Sequence, residues 1–174
     1  MIEVVLADMA TLSVQGLVRA VSSDMSPADA QARDLVAAAG PELVERMGRL
    51  GMLPVGGAVL TPGGGLAAPY LIHVVVMSHD EPQSSLSIQR ALRNGLRRAA
   101  DWGLESLAVP ALGLGAGSLD AETAARVLVD ILFNHLDEGA PPLELTIAVS
   151  SEFEVQLFEQ LIAEAGRMRS SVGD

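Results

Sequence analysis

The sequence predicts a three-layer α/β/α domain, with helices covering both faces of a central sheet. Three observations carry this reading. Short apolar runs alternate with helical patterns along the chain, and "PYLIHVVVM" is continuous enough for a strand buried on both faces. The 174 residues, 49% of them hydrophobic, suffice for one core and are short for two. A single domain over residues 1–166 is therefore expected, with 167–174 as a frayed tail that has little to bury.

The elements follow in order. "IEVVLA" reads as a short strand and "SVQGLVRAV" as a second. "SPADAQARDLVAAAG" carries helix punctuation, a Ser-Pro start and a glycine stop, which predicts a helix over Pro27–Ala39. Glu42 to Leu50 follows Gly40-Pro41 as another short helix. "GGAVLTPGGG" is a strand ending in a turn, and "PYLIHVVVM" is the buried one. Ser87 to Trp102 places Ile88, Leu92 and Leu96 on one helical side. "LESLAVPAL" is a strand, and a helix begins near Asp120, a good N-cap, with Glu122 and Thr123 in its first turn. "LELTIAVS" is the last strand and Phe153 to Glu164 the last helix.

Composition removes several function classes. The net charge of −11 repels polyphosphate backbones, so non-specific nucleic-acid binding is not expected. The basic exception is "IQRALRNGLRRAA", where Arg90, Arg93, Arg97 and Arg98 share a helical stripe that a solvated face also explains. Zero cysteines exclude disulfides and thiol nucleophiles, and all eleven basic residues are arginine. Without lysine there is no P-loop lysine and no Schiff-base attachment for a cofactor. His73 sits inside an apolar strand, where a backbone partner is expected for its nitrogens. His79 and His135 stand alone, so neither a metal nor a cofactor is predicted. No apolar run is long enough to span a membrane, and no basic-then-apolar leader opens the chain; a cytoplasmic protein is the expectation.

The stretch "VPALGLGAGSLDAETAA" combines a strand, a glycine-rich turn and a helix start. Gly113, Gly115 and Gly117 remove alternate side chains, so backbone amides can converge on a phosphate beside the helix end. A tight packing turn fits the same residues. The dinucleotide fingerprint does not, because its third glycine is missing and Asp137, about 20 residues on, falls at a helix end.

Several stretches, in order, resemble the macro domain, the ADP-ribose-binding α/β/α module. "IEVVLADMATLSVQGLVRAV" is similar to its opening, a strand ending in Gly-Asp-Ile/Leu and a second running into Asn-Ala-Ala-Asn. "AAAGPELVERMGRLGMLPVGGAVLTPGGGLAAPYLIHVV" is similar to its middle, and "VPALGLGAGSLDAETAA" to its Pro-Ala-Ile-Ser-Thr-Gly loop and helix. The resemblance covers about residues 2 to 164 and implies a mixed central sheet of about six strands.

It also implies site residues. Asp8 matches the acid that binds the adenine amine, with Met9 beside it. The pyrophosphate loop falls on Gly113, Leu114, Gly115, Ala116 and Gly117, which keep backbone donors while the family's Ser-Thr hydroxyls are lost. Ser150 takes the place of the aromatic that stacks on adenine, with Phe153 able to approach from the next turn. The other half of the site departs from the pattern. Asn-Ala-Ala-Asn becomes Arg19-Ala20-Val21-Ser22, and Ser22 is too short for the ribose-orienting Asn. The first glycine loop falls on "PADAQAR", Pro27 to Arg33, and the water-activating Asp on Ala32. Arg19 and Arg33 offer another route to phosphate, unless Arg19 pairs with Asp24, Asp29 or Asp34.

Three readings follow. The first is weak binding of ADP-ribose or a related nucleotide, without hydrolase activity. The second is a non-binding macro-like scaffold that interacts with proteins or forms a homodimer, its ribose space filled by the Pro27–Ala39 helix. The third is a hydrolase or O-acetyl-ADP-ribose deacetylase in which Asp29 or Asp34 substitutes for the lost acid.

Overall fold

The computed structural model describes residues 1–114 and 119–172. Its six strands are β1 (Ile2–Leu6), β2 (Gly16–Ser22), β3 (Ala58–Pro62), β4 (Tyr70–Met77), β5 (Ser106–Pro110) and β6 (Glu144–Val149). They form one sheet in the order β1-β6-β5-β2-β4-β3. Only β3, antiparallel to β4 at one edge, departs from the parallel arrangement. The helices are α1 (Ala30–Ala39), α2 (Pro41–Gly48), α3 (Ser85–Asp101), α4 (Ala121–Glu138) and α5 (Glu152–Val172). Among the described residues no helix is long and apolar enough to cross a membrane.

Alternation along the strands builds the layers. Leu17 and Val21 of β2, with Leu71 and Val75 of β4, face Leu35 of α1 and Leu43 and Met47 of α2. Their neighbours Val18, Ala20, Ile72 and Val74 point the other way, into a core completed by α3, α4 and α5. The chain leaves β2 for α1 on one face and leaves β5 for α4 on the other. These adjacent strands thus form a topological switch point, where α/β sheets open a crevice beyond their carboxyl ends. Pairing between β2 and β5 is confined to Gly16–Leu107 and Leu17–Ala108, so the strands diverge before that edge.

Two boundaries differ from the sequence expectation. The helix expected from Pro27 starts at Ala30, because the chain before it is used differently. The Ser22 N–H donates to the Ser26 carbonyl (2.9 Å) and the Ala28 N–H to the Ala20 carbonyl (3.0 Å), forming an antiparallel bridge at Val21–Pro27. With β4 holding one side of β2, Ser26–Ala28 takes the side that β5 has left. At the other terminus, α5 runs to Val172, past the Glu164 expected as its end. Arg169 anchors it to α4, pairing with Asp137 (3.1 Å), donating to Asn134 (2.9 Å) and lying 4.7 Å over the Phe133 ring.

Close packing of α3 on the sheet centres on Gly95, where an added Cβ would come within 2.8 Å of Val74 Cγ1. Gly95→Val is expected to cost about 1–3 kcal/mol by overpacking, read as a lower midpoint in denaturant unfolding at unchanged slope.

Candidate functional site

A cleft of about 560 Å³ opens at the carboxyl ends of β1 and β6. Leu6, Ala7 and Asp8 form one wall, Val149 and Ser150 a second, and Ala30, Gln31 and Asp34 of α1 a third. Asp8 holds its place by capping a single 3-10 turn, Met9–Thr11, through its Oδ1, which accepts from the Ala10 N–H (3.0 Å). The second carboxylate oxygen has no partner among the described residues and can accept an amine in the cleft. Met9, the neighbour expected at the ligand, buries its side chain fully in the core.

Ser150 lines the cleft, but its polar groups are already engaged. Its N–H and hydroxyl both donate to Glu154 Oε2, at 2.7 and 3.1 Å. Glu154 is in turn the partner of Ser151, whose hydroxyl accepts the Glu154 N–H (3.2 Å). The Ser-x-x-Glu spacing of "SEFE" is a capping signature, so this carboxylate beside the cleft was readable in the sequence though not recognised. Phe153 stands 63% exposed in the first turn of α5, three residues beyond Ser150. Ala30 and Gln31, within the segment matched to the first glycine loop, also line the cleft, but from the first turn of α1 and not from a loop.

The helix ends nearest the expected phosphate positions carry their own anions. Asp29 caps α1, accepting the Ala32 N–H at 2.7 Å. Asp120 caps α4, accepting from the Thr123 N–H (2.9 Å) and hydroxyl (2.6 Å); these bonds hold its carboxyl below the usual range. A carboxylate in the cap occupies amides that a phosphate would otherwise use. In the second loop, Gly113 adopts φ +82, and a Cβ there would meet Ile88 Cδ1 at 2.8 Å. The Leu114 N–H donates to the Ala111 carbonyl (3.3 Å), and the Leu114 side chain packs against the core. Gly113 and Leu114 thus serve as a packing turn. Gly115, Ala116 and Gly117 lie outside the described residues.

Arg19 does not reach the cleft, which corrects its assignment as a phosphate partner and equally the expected ion pair. Odd residues of β2 face α1 and α2, and Arg19 is 1% exposed between them. Its Nε donates to the Ala32 carbonyl (2.8 Å), and its Nη atoms reach the Met25 carbonyl at 3.4 and 3.5 Å. Nη1 lies 3.2 Å from His73 Nδ1. Burial pulls the guanidinium down to about 10, opposed by the charge of Asp29, so it remains a cation at neutral pH. Arg33 is exposed and pairs with Asp34 at 3.4 Å. Ser22, half-buried, ends β2 in the turn whose amide is given to Ser26. Ala32 is buried against Arg19.

His73 completes this network. Its Nδ1 accepts from Arg19, which leaves the proton on Nε2, 2.8 Å from Thr61 Oγ1. Both partners are side chains where backbone ones were expected. Among the described residues, no group of three or more His, Asp or Glu gathers as a metal site.

The architecture and this cleft can be set beside known proteins. The Macro domain family model matches residues 18–128, well over half of the chain. The chain belongs to the macro domain family. An O-acetyl-ADP-ribose deacetylase of Enterobacter cloacae is 28% identical over 172 residues, covering 95% of this chain and 96% of that protein. A Mycobacterium tuberculosis protein is 32% identical over 134 residues, which span 77% of this chain but 37% of that protein. In fold, the Oceanobacillus iheyensis macrodomain with ADP superposes with a TM-score of 0.84 at 20% identity, covering 96% of this chain and 92% of that one. Within this macro domain Arg19 and Ala32 lie in the core, and Ser22 is the last residue of β2.

The Arg19–His73–Thr61 network makes stability pH-dependent. Burial, then the Arg19 charge, pushes His73 down to about 3, whereas the unfolded chain protonates it near 6.5. Stability from this group is complete above about 6.5 and drains as pH falls towards 3, by up to about 1.4 kcal/mol per pH unit. Urea unfolding between pH 7 and 4 should show this slope, and His73→Gln should flatten it.

Proposed function

We propose that this macro domain binds ADP-ribose or a related adenine nucleotide weakly, holding it chiefly by the nucleoside end, and does not hydrolyse it. The observation that carries the reading is the open cleft of about 560 Å³ with an unengaged Asp8 oxygen on its wall. That volume lies within the range of small-ligand sites. Leu6 and Val149 supply apolar lining, and the exposed Phe153 lies three residues beyond the cleft residue Ser150.

Weakness follows from the diphosphate half. Asp29 and Asp120 fill the helix caps, Glu154 holds the Ser150 amide, and Asp34 adds a carboxylate to the cleft wall. A diphosphate therefore meets repulsion and few free amides. Absence of hydrolysis is supported by Ala32, which has no group to activate water, and by Arg19, committed to carbonyls inside the core. Asp34 is the one carboxylate of α1 on the cleft wall, and it pairs with its neighbour Arg33 at 3.4 Å. The Enterobacter relative's activity gives the deacetylase reading its weight, and the same assay decides it.

Calorimetry with ADP-ribose should give Kd of ~0.1–1 mM, about −4 to −5.5 kcal/mol. Asp8→Asn, which keeps an acceptor for the turn, should weaken binding about tenfold by losing the charge-assisted bond to the adenine amine. No heat at millimolar ligand leaves only the scaffold reading. Release of acetate from O-acetyl-ADP-ribose, lost in Asp34→Asn, would replace the binding module by an enzyme.

A further inference from the structure

We propose that the groove between α3 and the Pro54–Gly57 turn is a second anion site, for a small molecule carrying two linked phosphates. It lies on the α3 side of the antiparallel sheet edge, is lined by none of the residues of the nucleotide cleft, and has a volume of about 380 Å³. Arg90, Arg93, Asn94 and Arg97 recur along α3 at three- and four-residue spacing, so all four project over one face. The opposite wall is the backbone of Gly56 and Gly57.

Two of these side chains build the groove. Arg90 donates to the Val55 carbonyl (3.1 Å) and Asn94 to the Gly56 carbonyl (2.5 Å), fastening the turn to the helix. The turn is also tied to β4, with the Gly56 N–H donating to the Val75 carbonyl (2.8 Å) and the Val75 N–H to the Gly57 carbonyl (2.9 Å). Gly56 has φ +89, and a Cβ there would press within 3.0 Å of the Arg90 side chain. Glycine is what lets the guanidinium lie against the chain.

The other two arginines are unspent. No carboxylate among the described residues comes within 4.0 Å of Arg93 or Arg97, and neither makes a side-chain hydrogen bond. The acids nearby are otherwise placed. Glu81 sits 3.9 Å from Arg90, Asp101 pairs with Arg98, and Glu138 shares a second, smaller hollow with Arg93 and Arg97 without forming an ion pair with either. In a chain of net charge −11, a groove wall with three arginines is a local reversal of potential. Guanidinium forks bind phosphate oxygens bidentately, and two of them one helical turn apart suit adjacent phosphates. The acidic remainder of the molecule repels an extended polyanion, which favours a compact ligand over nucleic acid.

Inorganic pyrophosphate is the probe, titrated while backbone amides are followed by NMR. The expected result is saturable binding with shifts at Gly56 and Gly57. Arg93→Gln with Arg97→Gln should weaken it at least about tenfold, the lysine pair should recover part of the loss, and Asp8→Asn should leave it unchanged. Both arginines are exposed, so the variants should unfold at the parent midpoint. ADP moving the same amides assigns a nucleotide-borne diphosphate, and pyrophosphate alone a free one; either sustains the site. Unsaturable titration, or affinity unmoved by the double glutamine variant, overturns it. Tighter binding of a single-stranded oligonucleotide through the same arginines overturns the compact-ligand assignment.

Discussion

The structure turns on one buried cation. Arg19 sits in the middle of β2 with its charge facing α1 and α2, and it is satisfied without a carboxylate. It works as a five-donor clamp: the Ala32 carbonyl fixes the first turn of α1, the Met25 carbonyl fixes the turn after β2, and His73 ties in the neighbouring strand. Met25 has φ +69, a left-handed conformation that a non-glycine residue adopts at a cost of order 1 kcal/mol. Its carbonyl bonds to the clamp and its buried side chain offsets that cost. A neutral histidine is the one imidazole state that can accept from an arginine. The cation therefore dictates the tautomer of His73 and, through it, the proton given to Thr61.

This clamp explains the shape of the cleft. Because α1 is held by its first turn, Ala30, Gln31 and Asp34 become a wall of the hollow beyond β1 and β6. Because the chain before α1 bonds along β2, the crevice at the switch point is filled by Ser26–Ala28. What stays open is the hollow walled by Asp8, Ser150 and α1. The N-termini of α1 and α4 are instead capped by Asp29 and Asp120, so the same chain path that leaves this hollow open leaves those helix ends occupied by carboxylates.

The sheet, its six strands and the helix order were legible because they rest on periodicity and punctuation. "PYLIHVVVM" fits only a buried strand, and Asp120 caps its helix as its sequence context demands. The start of α1 was not legible. Ser26-Pro27 carries helix-start punctuation, yet Asp29 caps the helix, because Ser26–Ala28 pairs along the vacant edge of β2. The role of Arg19 was hidden for a related reason. Local sequence offers Asp24, Asp29 and Asp34 as partners, whereas the clamp is made by carbonyls and by a histidine 54 residues away. Asp8 was found through its motif; Glu154, which competes for Ser150, needed the Ser-x-x-Glu spacing to be weighed as chemistry beside the cleft.

The distribution of arginine links these points. Lysine is absent, so each positive charge is a planar fork that bonds carbonyls, stacks on rings or grips oxyanions. Arg19 spends its fork on the core and Arg169 on docking α5 against Phe133 and Asp137. Arg126 bridges Glu122 and Glu164, and Arg33 contacts Asp34 beside the cleft at 3.4 Å. Around the nucleotide cleft the carboxylates therefore outnumber the cations left to meet a ligand. The surplus positive charge stands on α3, a helix fastened to the antiparallel edge of the same sheet. The carboxylates on the wall beyond β1 and β6 and the unengaged guanidinium groups of α3 thus stand in separate parts of the molecule, because α1 and α3 cover opposite faces of the sheet.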